Sequence, residues 1–224
     1  MKSTLFTTAA AAALAGTALL LTASDAESQA TPAMATFDVT ITNLTRGQIF
    51  SPPVLATHAP SAAIFQPGAP ASMELQLLAE DGDNGPLAAL LGGAADVFDV
   101  QAAGAPIMPG SSATFTITAD TTNPLFSMAG MLISTNDAFV GLDGVRLPLR
   151  GERFLAEAYD AGTEFNSEDC AFIPGPPCGA GAVHDPAPAE GYIYISNGVQ
   201  GIGNVPKETY DWRSGVALVE IERQ

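Results

Sequence analysis

Short runs in which apolar and polar residues alternate, cut apart by clusters of Gly, Pro, Asn and Asp, constrain this chain more than any other feature. In TFDVTITNL, Phe37, Val39 and Ile41 alternate with Asp38, Thr40 and Thr42, the period of two that a half-buried strand imposes. The same reasoning predicts strands at MELQLLAE (73–80), ATFTITAD (113–120), GMLIST (130–135), GYIYIS (191–196) and VALVEIE (216–222). EDGDNGP, GAPIMPGSS, DTTNP and PGPPCGAGAVHDPAPAEG separate runs of this kind, and their turn-forming residues end each one. Strands so spaced imply an all-β fold, an antiparallel β-sandwich in which two sheets share one core. One helical candidate interrupts the pattern. PLAALLGGAADVF (86–98) opens with Pro at a plausible first helical position, but Gly92-Gly93 shortens it, so a short helix capping one end of the sandwich is expected, with long loops elsewhere.

Residues 1–30 read as a signal peptide: Lys2 precedes LFTTAAAAALAGTALLLTA, and SDA and SQA follow as candidate cleavage sites. The apolar run is also about long enough to span a bilayer, so an uncleaved anchor is the alternative. Residues 35–224 remain as one β-sandwich domain, expected to be secreted or periplasmic.

Charge excludes one class of partner. The chain carries a net charge of −16, and loss of Lys2, Asp25 and Glu27 with the leader leaves −15. Such a surface repels nucleic acid and anionic lipid, so no nucleic-acid partner is expected and lipid contact is the weaker possibility. An excess of carboxylates is equally the raw material for a hard cation such as Ca²⁺. The two cysteines, Cys170 and Cys178, flank AFIPGPP and in an oxidising compartment are expected to pair.

Two sets of residues could carry chemistry. His58 in PPVLATHAP and His184 in GAVHDPAP are the only histidines, and a hydrolase would use one of them as base beside a carboxylate. The acids at one sandwich rim are the stronger set. Asp137 ends the strand-like GMLIST region, and Asp160 and Glu164 flank Ala161-Gly162-Thr163. Gly162 can take a positive φ and let this turn wrap an ion, with carbonyl oxygens completing its shell. The alternative is that Asp160 opens a helix or an Asx-turn and Glu164 is solvated.

These residues resemble a known family. STNDAFVGLDGV (134–145), YDAGTEFNSED (159–169), EGYIYISNGVQGIGN (190–204) and YDWRSGVALVEIER (210–223), with the earlier TRGQIFSPPVLATHAP (45–60), resemble in that order the spondin N-terminal (Spondin_N) domain of secreted bacterial proteins and animal F-spondin-type matrix proteins. The resemblance implies a C2-like β-sandwich with Ca²⁺ bound at one end by Asp137, Asp160 and Glu164. Glu164 stands where the animal domains carry Asp, and the family's disulfide pattern does not transfer to Cys170 and Cys178. It further implies a non-enzymatic module whose partner is an extracellular protein, a matrix component or a cell surface.

Overall fold

Where the sequence alternates most cleanly, the chain forms the strand that alternation requires. The computed structural model describes residues 33–224; the leader expected at 1–30 lies outside them. β1 (Ala35–Asn43) buries Phe37, Val39 and Ile41 and leaves Asp38, Thr40 and Thr42 partly exposed. The other elements follow as β2 (Val54–His58), α1 (Met73–Asp81), α2 (Gly85–Gly92), β3 (Val97–Ala102), β4 (Ser112–Ala119), β5 (Leu125–Met131), β6 (Ala138–Arg146), β7 (Gly151–Asp160), β8 (Tyr194–Ile195), α3 (Lys207–Tyr210) and β9 (Ala217–Arg223).

The fold is all-β and antiparallel, and its two sheets are one path. Among the described residues the strand order is β3-β2-β5-β6-β7-β9-β1-β4, with β8 added to β7. The junction is β7. Its residues Gly151–Ala156 pair with β9, and its last four, Glu157–Asp160, pair with β6. The outer strands β3 and β4 then approach each other, because the Thr118 backbone N–H and hydroxyl both donate to Asp99 Oδ2, at 2.7 and 2.8 Å. The result is a nearly closed, barrel-like sandwich. Closure of this kind leaves little bare sheet edge.

The apolar core fills the space between the two halves. Val39 and Ile41 from β1, Ile117 from β4 and Val219 and Ile221 from β9 meet Leu55, Phe126, Met128 and Val140 from the facing strands. A second apolar layer lies on the other face of β2, β5 and β6, where Val54, Ala56, Ala129 and Phe139 pack against Leu75, Leu78 and Leu87 of the helices. These central strands are therefore buried on both faces. α2 forms as expected behind Pro86, but it lies over a sheet face with α1 instead of capping an end.

One predicted strand is a helix. MELQLLAE alternates in its first five residues, yet its buried apolar positions are Leu75, Leu78 and Ala79, the i, i+3, i+4 set of a helix face. The capping residues decide the matter. The Ser72 hydroxyl accepts from Leu75 N at 3.1 Å, Glu74 sits in the first turn, and Gly82 closes the helix at φ 70°. GYIYIS is also shorter as a strand than expected, since only Tyr194 and Ile195 pair with β7. Cys170 and Cys178 form the expected disulfide.

No helix among the described residues is long and apolar enough to cross a membrane. The helical assignment of 73–81 has a direct check: Ser72→Ala should lower stability by about 1 kcal/mol in denaturant titration with an unchanged slope, whereas a strand at this position would lose no such bond.

Candidate functional site

β5 leads into a tight turn before β6. Thr135 Oγ1 donates to Leu132 O at 2.7 Å and accepts from Ala138 N at 3.1 Å, while Leu132 N reaches Ala138 O at 2.8 Å. This turn directs Asp137 inward, where it is 0% exposed. Register then supplies the second acid, because Ala138 pairs with Asp160 at the end of β7. Ala161 N donates to Asp137 O at 3.2 Å. After β7 the chain reverses through Gly162 at φ 66°, with Gly162 N donating to Asp160 Oδ1 at 2.9 Å. That is an Asx-turn, as the alternative reading of the sequence held. Glu164, however, is buried at 1% exposure and not solvated.

A single carboxylate oxygen joins the two turns. Asp137 Oδ2 accepts from Thr163 N at 2.8 Å, Glu164 N at 3.1 Å and Thr163 Oγ1 at 3.3 Å. Its other oxygen, Oδ1, is buried without a hydrogen-bond partner. Glu164 shows the same asymmetry. Its Oε1 accepts from Asp185 N at 2.7 Å and Asn136 Nδ2 at 3.2 Å, and its Oε2 is buried without a partner. Asp160 is better satisfied, with Oδ2 accepting from Asn166 Nδ2 at 2.8 Å.

Burial dominates the electrostatics. It raises the Asp137 pKa well above the ordinary carboxylate range, and the negative charge of Asp160 adds to the effect against the amides of Thr163 and Glu164. Burial also raises Asp160, against its bonds from Asn166 and Gly162, and pushes Glu164 up to about 7. Among the described residues no group of three His, Cys, Asp or Glu side chains stands close enough to hold a metal unaided. The structure thus brings Asp137, Asp160 and Glu164 to one end of the sandwich, where the charges of Asp160 and Glu164 both act on Asp137, without drawing all three around one point. An oxygen-only donor set with two orphaned carboxylate oxygens nevertheless suits a hard cation, whose shell backbone carbonyls and water would complete.

The histidines lie elsewhere. His58 Nδ1 donates to Ala59 O at 2.8 Å, and Nε2 lies 2.7 Å from Ser127 Oγ, but His58 and Ser127 are 1% and 0% exposed and offer no atom to a substrate. His184 is surface-lying and meets Asp81 Oδ1 at 3.0 Å and Glu80 Oε2 at 3.3 Å. Sequence reasoning passed over Glu168, a buried residue at φ 55° whose carboxylate accepts from Gln200 N and from Ile202 N. No spacing rule would have found it. Asn136, beside Asp137, links Glu164 to this network by accepting from Glu168 N at 3.1 Å, and the Asn-Asp pair itself was the available signal.

A nearly closed antiparallel β domain with buried acids in the loops at one end is the class that fold and site define. Residues 41–168, more than half the chain, match the Spondin_N family model, and the chain belongs to the spondin N-terminal domain family. The match includes all three acids and ends at Glu168, short of the downstream segments that also resemble the family. This is an extracellular-type domain, with which the disulfide accords. Among curated proteins, no relative matches the chain.

Two outcomes follow. A Cβ at position 162 would lie 2.2 Å from Tyr192 O, a contact with backbone that cannot move aside, so Gly162→Ala should cost at least about 2 kcal/mol in denaturant unfolding. The raised acids set the pH dependence. Each holds its proton more tightly folded than unfolded, so folding takes up protons between the unfolded carboxylate range and the value of about 7 at Glu164, and stability falls as pH rises through that window. His184 acts in the same sense: burial would lower its pKa, but Asp81 and Glu80 outweigh burial and raise it. In chelator, the melting temperature should be lower at about pH 7.5 than at about pH 5.5, and Glu164→Gln should flatten the slope.

Proposed function

We propose that this chain is an exported, non-enzymatic calcium-binding module that mediates contact with an extracellular protein, a matrix component or a cell surface. One observation carries the reading: Asp137 Oδ1 and Glu164 Oε2 are buried carboxylate oxygens without partners, an arrangement that costs free energy unless a proton or a cation meets them. Calcium fits better than a soft or imidazole-bound metal, because the donors at hand are carboxylates and carbonyls. Asp137, Asp160 and Glu164 would hold it, with the carbonyls of the 160–164 turn within the same loop. When bound, the ion supplies charge neutralisation, taking three carboxylates from a formal −3 to −1.

The chain's own residues supply the rest. The Thr163 and Glu164 amides orient Asp137 by holding Oδ2, which leaves Oδ1 as its free donor. Asn136 and Asp185 do the same for Glu164 through Oε1. Export is the expectation that the leader-like sequence at 1–30 supports. Family membership supports a binding role outside the cytoplasm, and a net charge of −16 disfavours an anionic lipid surface as the partner.

Calorimetric titration tests the proposal. Wild type should bind Ca²⁺ with a dissociation constant of about 10⁻⁴–10⁻³ M or somewhat tighter, and Asp137→Asn and Asp160→Ala should each lose most of the heat. Calcium at ~100 times the dissociation constant should add about 2.7 kcal/mol of stability. Equal heats from wild type and both variants would count decisively against a metal at these acids.

A further inference from the structure

The buried acids gather where β6 begins. The other end of the barrel-like sandwich, where β6 and β9 finish and β1 starts, carries the opposite chemistry, and a cavity of about 400 Å³ opens there. Its origin lies in the inward-facing columns of the strands. On β1 the column runs Ala35, Phe37, Val39, Ile41, and on β4 it runs Ala113, Phe115, Ile117, Ala119. Ala35 and Ala119 are register partners, so the last layer of the core holds two methyl groups where the layers beneath hold Phe, Val and Ile. Space is left over, and Phe37 and Leu147 complete its apolar wall.

Two arginines stand over this apolar floor. The inward column of β9 is Ala217, Val219 and Ile221, and its next position is Arg223, directly opposite Phe37. Residues paired in this way share a face of the sheet, so Arg223 is directed at the mouth, away from Glu220 and Glu222 on the other face of its own strand. Arg146, at the end of β6, lines the cavity as well. Among the described residues Arg153 and Arg213 have carboxylate partners in Glu220 and Asp211, whereas Arg146 and Arg223 have none within ion-pairing distance. That is unexpected in a chain where acids outnumber Lys and Arg by 24 to 8. Asp120 shares the wall, but its own turn engages it: Oδ1 accepts from the backbone amides of Thr122 and Asn123, both at 2.8 Å.

Two cations without counter-ions above an alanine-floored hollow select an anion with an apolar tail. Barrel mouths that combine apolar walls with a few polar groups are frequent ligand sites, and guanidinium groups hold carboxylates through paired N–H donors. We propose that this mouth binds a free alkyl carboxylate, a medium-chain fatty acid. Arg223 and Arg146 hold the carboxylate, and Ala35, Phe37, Ala119 and Leu147 cover the chain. The overall negative charge does not prevent this, because the buried acids lie roughly 25 Å away along β6 and physiological salt screens charge beyond about 8 Å. The site shares no residue with the metal reading, so either can fail without the other.

Calorimetric titration with octanoate, in chelator so that no calcium soap forms, tests the proposal. Wild type should bind octanoate saturably. The uncharged 1-octanol, with the same chain, should bind at least about tenfold more weakly, and acetate, with the same head and no chain, should give no saturable heat. Arg223→Gln should weaken octanoate about tenfold or more. Arg153→Gln removes the same charge from the outer face, where Arg153 pairs with Glu220, and should leave the affinity unchanged. Ala35→Leu, at a partly buried position, should fill the mouth and abolish binding while the protein still melts cooperatively. An absence of saturable heat from wild type would overturn the proposal. So would equal affinity for octanoate and octanol, equal weakening by Arg223→Gln and Arg153→Gln, or full affinity in a folded Ala35→Leu variant.

Discussion

The path of β7 is the constraint on which the rest of this molecule depends. Its first six residues pair with β9 and its last four with β6, so one strand belongs to both halves of the sandwich. A strand shared in this way joins the two halves into one nearly closed path. The same pairing fixes the site. Because Ala138 stands opposite Asp160, Asp137 and Asp160 must emerge at the same end, on neighbouring strands and beside the same turn. A slip of one residue would send one of the acids to the opposite face.

Once there, the acids divide into two kinds, and hydrogen bonding separates them. Glu168 is buried, but backbone amides of Gln200 and Ile202 meet both its oxygens, so it works as a staple between loops. Asp137 and Glu164 each have one oxygen fully engaged and one left without a donor. Burying a carboxylate in that half-satisfied state costs more than burying one that is fully bonded. The fold carries this cost through its cores, which position both turns rigidly. That rigidity also explains why the raised pKa values fall on these side chains: water is excluded, and the neighbours are acids.

How much of this was legible in the sequence depends on how many faces each element buries. β1, β4 and β9 face the core on one side only, and their alternation was readable. β2 is buried at all five positions and β5 at six of seven, so neither shows a period of two, and residues 54–58 carried no strand signal. The error at 73–81 has the opposite origin. Met-Glu-Leu-Gln-Leu mimics a strand because Leu77 is only partly buried, while the deciding information lay outside the run, in Ser72 and Gly82. For the site, Asp137, Asp160 and Glu164 could be named from a turn with a glycine at its centre and a family resemblance. Glu168 could not, since its partners Gln200 and Ile202 lie far away in sequence.

The family match ends at Glu168, and that boundary runs between the acids and the loops that pack beside them. All three acids of the metal reading precede it, on the β5–β6 turn and the turn after β7. Glu190, Tyr194, Val199, Ile202 and Trp212, which line much of the cavity beside the acids, follow it. These residues sit on long loops held by few regular elements: the two residues of β8, the small apolar cluster of Ile173, Val199 and Val205, and the Glu168 staple. Loops positioned by a rigid scaffold are where specificity is built most cheaply. The matched region thus supplies the scaffold and the buried acids, while the loops beyond it build the rest of the wall beside them.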